Sequence, residues 1–240
     1  MNALWFKAAL AAVVAVSLVA CGGSGGGSGS GVNDPRIRYV NASPDVSPVT
    51  FTLDGDVKAT GIAYLGMSPN FAEEKQDSYD VAVHEDGANP ELDAIAANFS
   101  NDTEYIVACV GLENFGTEFI KRLRLRSLAI DLTIPNGNRS RLYVLHAFNR
   151  SVGLDTPNID LRNPGDNPQY KVENIDFGNI GTLEIDASTQ TFVARRSESE
   201  SIYATNTGTF APGGIYLVIV GGIEGEVGVQ APGIEFIKLN

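Results

Sequence analysis

The residues best suited to chemistry in this sequence are carboxylates next to glycines. Asp54 and Asp56 flank Gly55, and Glu85 and Asp86 precede Gly87. Calcium takes about six to eight oxygen ligands, often from acidic loops, but neither segment has the spacing of an EF-hand. The alternative is a solvated acidic face with Asp-Gly turns. We predict no metal site or cofactor, and Asp54, Asp56, Glu85 and Asp86 are the candidate ligands if Ca²⁺ binds.

Histidine and cysteine offer few nucleophilic arrangements. The sequence has two histidines, His84 and His146, and no G-x-S-x-G elbow accompanies them. Cys109 lies in an apolar run, where burial would leave little of the reactive thiolate. We therefore predict no catalytic residue, and no zinc site because no cysteine pair is available.

Three arginines alternate with leucines near the middle of the chain. Arg122, Arg124 and Arg126 are separated by Leu123 and Leu125, so a strand would place the guanidinium groups on one face. They could meet an anionic partner or an acidic surface of the same chain. We expect instead an outward-facing strand whose charges oppose edge-to-edge aggregation.

The charge balance restricts the class of partner. The chain has 29 acidic and 17 basic residues and a formal net charge of −12. Such a chain repels the phosphate backbone of nucleic acids, so no nucleic-acid partner is expected. Acidity also favours solubility.

The N-terminal residues have the pattern of a targeting segment. One lysine precedes an apolar run from Ala8 to Ala20, which is shorter than the roughly 20 residues that span a bilayer and is typical of a signal peptide. Leu18-Val19-Ala20-Cys21 resembles a bacterial lipobox. The resemblance implies cleavage before Cys21, acylation of Cys21 and anchoring in the membrane. By resemblance to the sorting rules of Gram-negative lipoproteins, Gly22 at the next position implies the outer membrane, with the folded part facing the periplasm or the cell surface.

The remaining chain predicts an all-β protein. Residues 1–20 form the signal peptide, and residues 21–33 form the lipidated cysteine with a flexible Gly/Ser linker. Alternating segments such as Val49–Leu53 and a buried run at Tyr105–Gly111 predict strands. Phe119–Arg126 and Leu128–Ile134 each alternate as well. Leu92–Phe99 fits a helix or a strand, and its counterpart in the second half favours the strand.

The second half repeats the first. The matching segments are RLYVLHA (141–147) with RIRYVNA (36–42), Phe177-Gly178 with Leu65-Gly66, FVA (192–194) with DVA (80–82), and EFIK (235–238) with EFIK (118–121). Matches in the same order at nearly one offset indicate a duplicated domain. We predict two tandem antiparallel β-sandwiches of immunoglobulin or transthyretin type, at residues 34–138 and 139–240.

A family resemblance follows from the first repeat. RYVNASPD (38–45), followed by VTFTLDG (49–55), resembles the domain-of-unknown-function family 4397. The resemblance implies a β-sandwich in an exported bacterial protein, often in tandem copies, and no known chemistry.

The expected function is a non-catalytic binding or scaffolding module of the cell envelope for a protein or a glycan. Two alternatives stay open, namely an envelope hydrolase that uses serine or carboxylate chemistry, and a structural spacer. A deep pocket would indicate the enzyme, and an exposed binding patch would indicate the binder.

Overall fold

A computed structural model describes residues 32–114, 122–150 and 156–240. Val32–Asn240 form one compact unit. The predicted signal peptide, Cys21 and the Gly/Ser linker lie outside the described residues. No helix in the described part of the chain is long and apolar enough to cross a membrane.

The all-β prediction is confirmed. The first repeat has eight strands: β1 (Arg36–Asn41), β2 (Val49–Leu53), β3 (Asp56–Ile62), β4 (Ala72–Glu73), β5 (Asp77–Glu85), β6 (Glu91–Phe99), β7 (Glu104–Val110) and β8 (Arg124–Ile130). The second repeat has eight more: β9 (Arg139–His146), β10 (Ile159–Arg162), β11 (Lys171–Ile175), β12 (Ile180–Asp186), β13 (Thr189–Arg196), β14 (Ile202–Thr209), β15 (Ile215–Gly221) and β16 (Gly233–Lys238). A short 3-10 turn at Gly228–Gln230 is the one helical segment among the described residues.

The 16 strands form four four-stranded sheets. Outer sheet 1 has the order β3-β2-β5-β6, and inner sheet 1 has the order β4-β1-β7-β8. Inner sheet 2 (β12-β9-β15-β16) and outer sheet 2 (β11-β10-β13-β14) repeat that arrangement. Pairing is antiparallel except between β1 and β7 and between β9 and β15, which are parallel. Between β1 and β7, and between β9 and β15, the chain runs through the outer sheet of the same repeat. This provides the long connection that two parallel neighbouring strands require.

Three apolar clusters hold the four sheets together. One lies between the sheets of the first repeat and includes Phe51 and Phe99. A second lies between the sheets of the second repeat and includes Phe192. The third lies between the two inner sheets, where Ile106 faces residues such as Leu217. Burying a side chain of this size contributes roughly 1.5–3 kcal/mol, so the two repeats are joined by a core of their own.

Residue types explain why the inner strands occupy the middle. Along β7, Val107 and Cys109 contact the first cluster, whereas Ile106 and Ala108 contact the third. A strand buried on both faces must be apolar at every position, and the run in β7 and β15 meets that requirement. Leu92–Phe99 is a strand, as the repeat predicted, since Glu91–Phe99 forms β6.

The strand pairing revises three details of the predicted repeat. The inward residues Val81 and Val83 of β5 correspond to Phe192 and Ala194 of β13, because both pairs contact the core of their repeat. The offset is therefore 111, where the sequence comparison suggested 112. The irregularities in pairing agree, since they fall after Val83 in β5 and after Ala194 in β13. Arg195 is consequently the counterpart of His84, whereas the offset of 112 predicted Arg196.

The other two revisions concern a turn and a strand. The backbone amide of Leu65 donates to the Asn41 carbonyl, and that of Gly178 donates to the His146 carbonyl, both at 2.8 Å. Gly178 is therefore the counterpart of Leu65 and not of Gly66. The register of β16 on β15 makes Glu235–Lys238 equivalent to residues 126–129 of β8. The identical tetrapeptide 118–121 lies outside the described residues.

The two strands suggested by Phe119–Arg126 and Leu128–Ile134 are also wrong. One strand, β8, runs across Ser127 in unbroken register with β7. The boundary predicted after residue 138 coincides with the first residue of β9, and the division into two domains there stays a prediction.

Candidate functional site

The outward face of outer sheet 1 carries a polar groove of about 660 Å³. Thr50 of β2 lies opposite His84 of β5. Their neighbours Phe51 and Val83 contact the core, so alternation turns Thr50 and His84 outward. The groove is lined by hydroxyl, imidazole, carboxylate and amide side chains together with small residues: Thr50, Thr52, Gly55, Val57, Thr60, His84, Asp86, Gly87, Ala88, Asn89 and Glu91.

Asp86 organises one end of this groove. Its Oδ1 accepts hydrogen bonds from Thr50 Oγ1 at 2.6 Å, from Thr60 Oγ1 at 2.7 Å and from the Gly61 amide at 3.3 Å. These bonds, first those from Thr50 and Thr60, lower the pKa of Asp86 below its usual value. Gly87 follows with a φ of +78°, which permits the turn into β6. The carboxylate thus fixes two hydroxyls on a surface open to solvent.

The same face of the second repeat is closed by an ion pair. Asp160 of β10 lies opposite Arg195 of β13, at the positions of Thr50 and His84. Arg195 Nε donates to Asp160 Oδ2 at 3.3 Å, and Arg195 Nη1 donates to Glu200 Oε1 at 3.0 Å. Asp160 Oδ1 also accepts from Ser197 Oγ at 2.6 Å and from the Asn174 amide at 2.9 Å. A small cavity of about 110 Å³ lies beside Arg195 and Glu200.

The four candidate calcium ligands are not brought together. β2 pairs with β5 so that Leu53 lies opposite Val81 and Val49 lies opposite Glu85. Asp54 and Asp56 therefore sit at one end of β2, and Glu85 and Asp86 sit about 13 Å away at the other end. Asp54 Oδ1 instead accepts a hydrogen bond from the Asp80 amide at 2.8 Å. Among the described ranges, no group of three His, Cys, Asp or Glu side chains could hold a metal ion.

His146 is in a different environment from His84. It is fully buried, and its Nε2–H donates to the Pro157 carbonyl at 3.0 Å. Its ring meets Phe177 edge to face, with 5.4 Å between centroids. Burial lowers the pKa of His146 from 6.5 to about 4, because an apolar environment disfavours the charged imidazolium. This histidine therefore packs the region where the repeats meet.

Cys109 occupies the position predicted for it. It is fully buried in β7 and contacts the core of the first repeat. Burial raises the pKa of the Cys109 thiol far above its ordinary value, so the thiolate is scarce at neutral pH.

The arginine stripe differs from its prediction. Arg124 and Arg126 do not project freely from an outward-facing strand, since each is partly buried against the second repeat. Arg124 Nη2 donates to the Phe177 carbonyl at 3.0 Å, and its guanidinium lies 5.0 Å from the centre of the Phe177 ring. The inner sheets pack face to face. Leu123 and Leu125 point into the core of the first repeat, so the opposite face, which carries Arg124 and Arg126, lies against the second repeat rather than in solvent.

Sequence reasoning missed the groove and the buried ion pair. Both depend on which residues of β2, β5, β10 and β13 turn outward. The alternation of Val81 and Val83, compared with Phe192 and Ala194, would have set the offset at 111 and aligned His84 with Arg195. Thr50 and Asp160 would then have been recognised as different polar residues at equivalent positions of the two repeats.

Comparison with known proteins yields a family and distant structural similarities. No curated protein matches the chain. The Bacillus anthracis TIE protein is 11% identical with a TM-score of 0.26, covering 79% of this chain and 33% of that one, so the chain spans about a third of its length.

Two further solved structures are similar at the same low level. A family CBM26 module of Eubacterium rectale Amy13K, solved with maltoheptaose, is 12% identical with a TM-score of 0.24, covering 86% of this chain and 97% of that one. A DUF3823 protein from Bacteroides ovatus is 10% identical with a TM-score of 0.20, covering 74% of this chain and 96% of that one. TM-scores this low do not establish a shared fold.

The family assignment rests on the sequence itself. The matching region runs from residue 35 to residue 162, which covers all of the first repeat and continues through β9 and β10. This is more than half of the chain, and it includes the segments RYVNASPD and VTFTLDG that suggested the resemblance. The protein therefore belongs to the DUF4397 family, described as a domain of unknown function.

Proposed function

We propose that this protein is a cell-envelope lipoprotein whose folded part is a non-catalytic binding module for a glycan. The proposal assigns the anchor to Cys21 in the outer membrane and the ligand to the polar groove of outer sheet 1. The observation that carries the binding role is the contrast between equivalent faces, one open and polar, the other closed by the Asp160–Arg195 ion pair.

The chemistry of the groove suits a ligand rich in hydroxyl groups. Thr50 and Thr60 donate their hydroxyl protons to Asp86, so their oxygens remain available as acceptors, and Asp86 and Glu91 supply carboxylate acceptors. Its volume of about 660 Å³ lies within the range of small-ligand sites. A sugar could exchange hydrogen bonds with these groups along the flat outward face of the sheet.

A direct test uses the full-length protein in non-ionic detergent and insoluble envelope polysaccharide as the affinity matrix. We expect retention of the wild-type protein and loss of retention in Thr60→Val, which removes a hydroxyl that bonds Asp86. The matched control is Thr207→Val, which removes an exposed hydroxyl bonded to Thr191 Oγ1 at 2.8 Å on the second repeat. Equal retention of both variants, or no retention of the wild type, would refute the glycan proposal.

The anchor is tested separately by Cys21→Ser. If Cys21 carries the lipid, this variant remains unprocessed or unacylated while residues 32–240 keep their far-UV circular dichroism. A cleaved variant that still required detergent for extraction would contradict the anchor.

A rigid spacer is the second candidate function, and the core between the inner sheets favours it. Residues such as Val40, Ile106, Leu145 and Leu217 are fully buried there, so the two repeats cannot move independently without exposing apolar surface. A spacer requires this rigidity and no ligand. Replacing the groove residues would then leave the function of the protein in cells unchanged.

A further inference from the structure

A second surface, separate from the polar groove, carries three arginines that form no ion pair with any residue the structure describes. We define the arginine ridge as Arg122, Arg124 and Arg126, which lie on and just before β8 at the edge of inner sheet 1. Alternate residues of an extended segment lie about 6.6 Å apart on one face. The ridge is notable in a chain whose net charge is −12.

None of the three arginines forms an ion pair with a carboxylate in the part of the chain that the structure describes. Other arginines of the protein do so: Arg141 pairs with Asp131 and Glu184, and Arg195 pairs with Asp160 and Glu200. Asp93 is nearby, but its Oδ2 accepts the Leu125 amide at 2.8 Å. Among the described residues, Asp93 is thus the acidic group that favours the charged form of Arg124, without forming an ion pair with it.

The second repeat holds two of these side chains in place. Arg124 is fixed by the Phe177 carbonyl and ring. A side chain at Gly178 would begin 2.8 Å from Arg126 Nε, so the glycine allows Arg126 to approach. The Nε atoms of Arg124 and Arg126 are buried and have no acceptor among the described residues. Burial, and next the neighbouring Arg126, lower the pKa of Arg124.

A groove of about 320 Å³ runs beside the ridge. It is lined by residues 93–95 of β6 and residues 122–126 at β8, where the edges of the two sheets of the first repeat meet. Arg122, Arg124 and Arg126 all line this groove together with Asp93, so an anion seated there would meet three arginines and one aspartate. Arg122 is exposed, and the other two arginines are half-buried.

The corresponding strand of the second repeat lacks this charge. The pairing of β16 with β15 places Gly233 and Glu235 at the positions of Arg124 and Arg126. The flanking apolar position is kept, since Leu125 and Ile234 both contact the core of their repeat. The arginines are thus not needed to build this type of strand, which separates the ridge from the requirements of the fold.

We propose that the arginine ridge is a binding site for a phosphate group. Guanidinium groups bind phosphate through paired, charge-assisted hydrogen bonds, and a dianion with several oxygens can bridge two neighbouring arginines where a single carboxylate neutralises one. The phosphate could be free or part of an ester such as a lipid headgroup.

The test is calorimetric titration of the full-length protein in non-ionic detergent. The probes are inorganic phosphate, sn-glycerol 3-phosphate as a soluble headgroup ester, and acetate as a monovalent control. We expect saturable binding of one or both phosphates that weakens with added salt. Binding of glycerol 3-phosphate alone indicates an ester ligand, and binding of inorganic phosphate alone indicates the free ion.

Two variants and a control locate the site. Arg124→Gln/Arg126→Gln should weaken phosphate binding by about tenfold or more, whereas Arg196→Gln, which removes an exposed arginine of the second repeat, should not change it. If the double variant unfolds, Arg122→Gln supplies the test, because Arg122 is exposed. Absence of phosphate binding, binding of acetate with equal affinity, or an equal loss in Arg196→Gln would overturn the proposal.

Discussion

In the outer sheet of the first repeat Thr50 lies opposite His84, whereas in the second repeat Asp160 lies opposite Arg195. The backbones pair in the same way, and the irregularity in pairing falls at the same place. One face is an open polar groove, and the other is filled by a buried ion pair. The comparison teaches that two repeats with the same strand pairing can carry different side chains at their outward positions: a buried ion pair in the second repeat and an open groove, for which we propose ligand binding, in the first.

The largest effect should come from breaking the ion pair on the closed face. Asp160→Ala removes the buried partner of Arg195 and leaves it only the exposed Glu200 among the described carboxylates. Removing one member of a buried pair costs about 3–5 kcal/mol. Thr50→Ala, the equivalent change in the first repeat, removes an exposed hydrogen bond and should cost about 1 kcal/mol or less. Urea denaturation measures both.

The double variant Asp160→Ala/Arg195→Ala sharpens this comparison. It should be less destabilised than the sum of the single variants, because it leaves no uncompensated charge. Equal costs for Asp160→Ala and Thr50→Ala would show that the two faces do not differ in stability.

The next effect concerns the turn beside the inner sheets, where Asn41 in the first repeat is replaced by His146 in the second. The pKa of His146 is about 4 in the folded protein and 6.5 when it is exposed. The unfolded chain therefore binds more protons between these values, and stability rises with pH across the window from about 4 to 6.5. The difference of about 2.5 pKa units corresponds to about 3 kcal/mol.

His146→Asn should remove this contribution, since asparagine does not titrate. The measurement is the free energy of unfolding at intervals between pH 4 and pH 7 in both proteins. Parallel curves for the wild type and His146→Asn would contradict the assignment of the pH dependence to His146.

A smaller loss of stability is expected at Gly178, the counterpart of Leu65 in the second repeat. Both residues have positive φ, +76° at Gly178 and +59° at Leu65. Gly178→Ala introduces strain of about 1 kcal/mol, and its Cβ would also crowd Arg126 Nε at 2.8 Å, which should bring the total to about 2 kcal/mol.

Gly87→Ala is the matched control for this substitution. Gly87 has a φ of +78°, and a Cβ there would meet nothing within 4 Å, so its cost reports strain alone. Thermal denaturation should place Gly178→Ala below Gly87→Ala. Equal melting temperatures would show that Arg126 yields without cost.

The smallest effect should come from the exposed threonines. Thr60→Val and Thr207→Val each remove a solvent-exposed hydroxyl, and each should change stability by less than about 1 kcal/mol. Similar melting temperatures for the two variants are needed if a difference in ligand binding is to be attributed to the groove.

The sequence allowed the layers of the fold to be predicted better than its faces. Alternation in Val49–Leu53 and the apolar run in β7 predicted strands because burial imposes a regular pattern on side chains. The duplicated segments predicted two similar halves and settled β6 as a strand. Pairing of β1 with β7 in parallel could not be predicted, because the partners of a strand are set by contacts distant in sequence.

The sites were less predictable for a related reason. Asp54, Asp56, Glu85 and Asp86 have the residue types of a calcium site, but the length of β2 separates them. The sequence alone suggests that Arg124 and Arg126 are exposed, but packing against the second repeat partly buries them. Glu118–Lys121 and Glu235–Lys238 share four letters, yet the register of β16 on β15 makes Glu235–Lys238 equivalent to residues 126–129 of β8. In each case, contacts between segments that are distant in sequence determine where the residues lie, and the local sequence pattern does not.

The most direct test of the open-face account is to give the first repeat the residue that closes the second. His84→Arg places a guanidinium at the position of Arg195, beside the Asp86 carboxylate. Retention on insoluble envelope polysaccharide should be high for the wild-type protein and lost for His84→Arg, with both proteins folded by circular dichroism. Equal retention of the two proteins, or no retention of the wild type, would contradict the claim that the groove is a glycan-binding site.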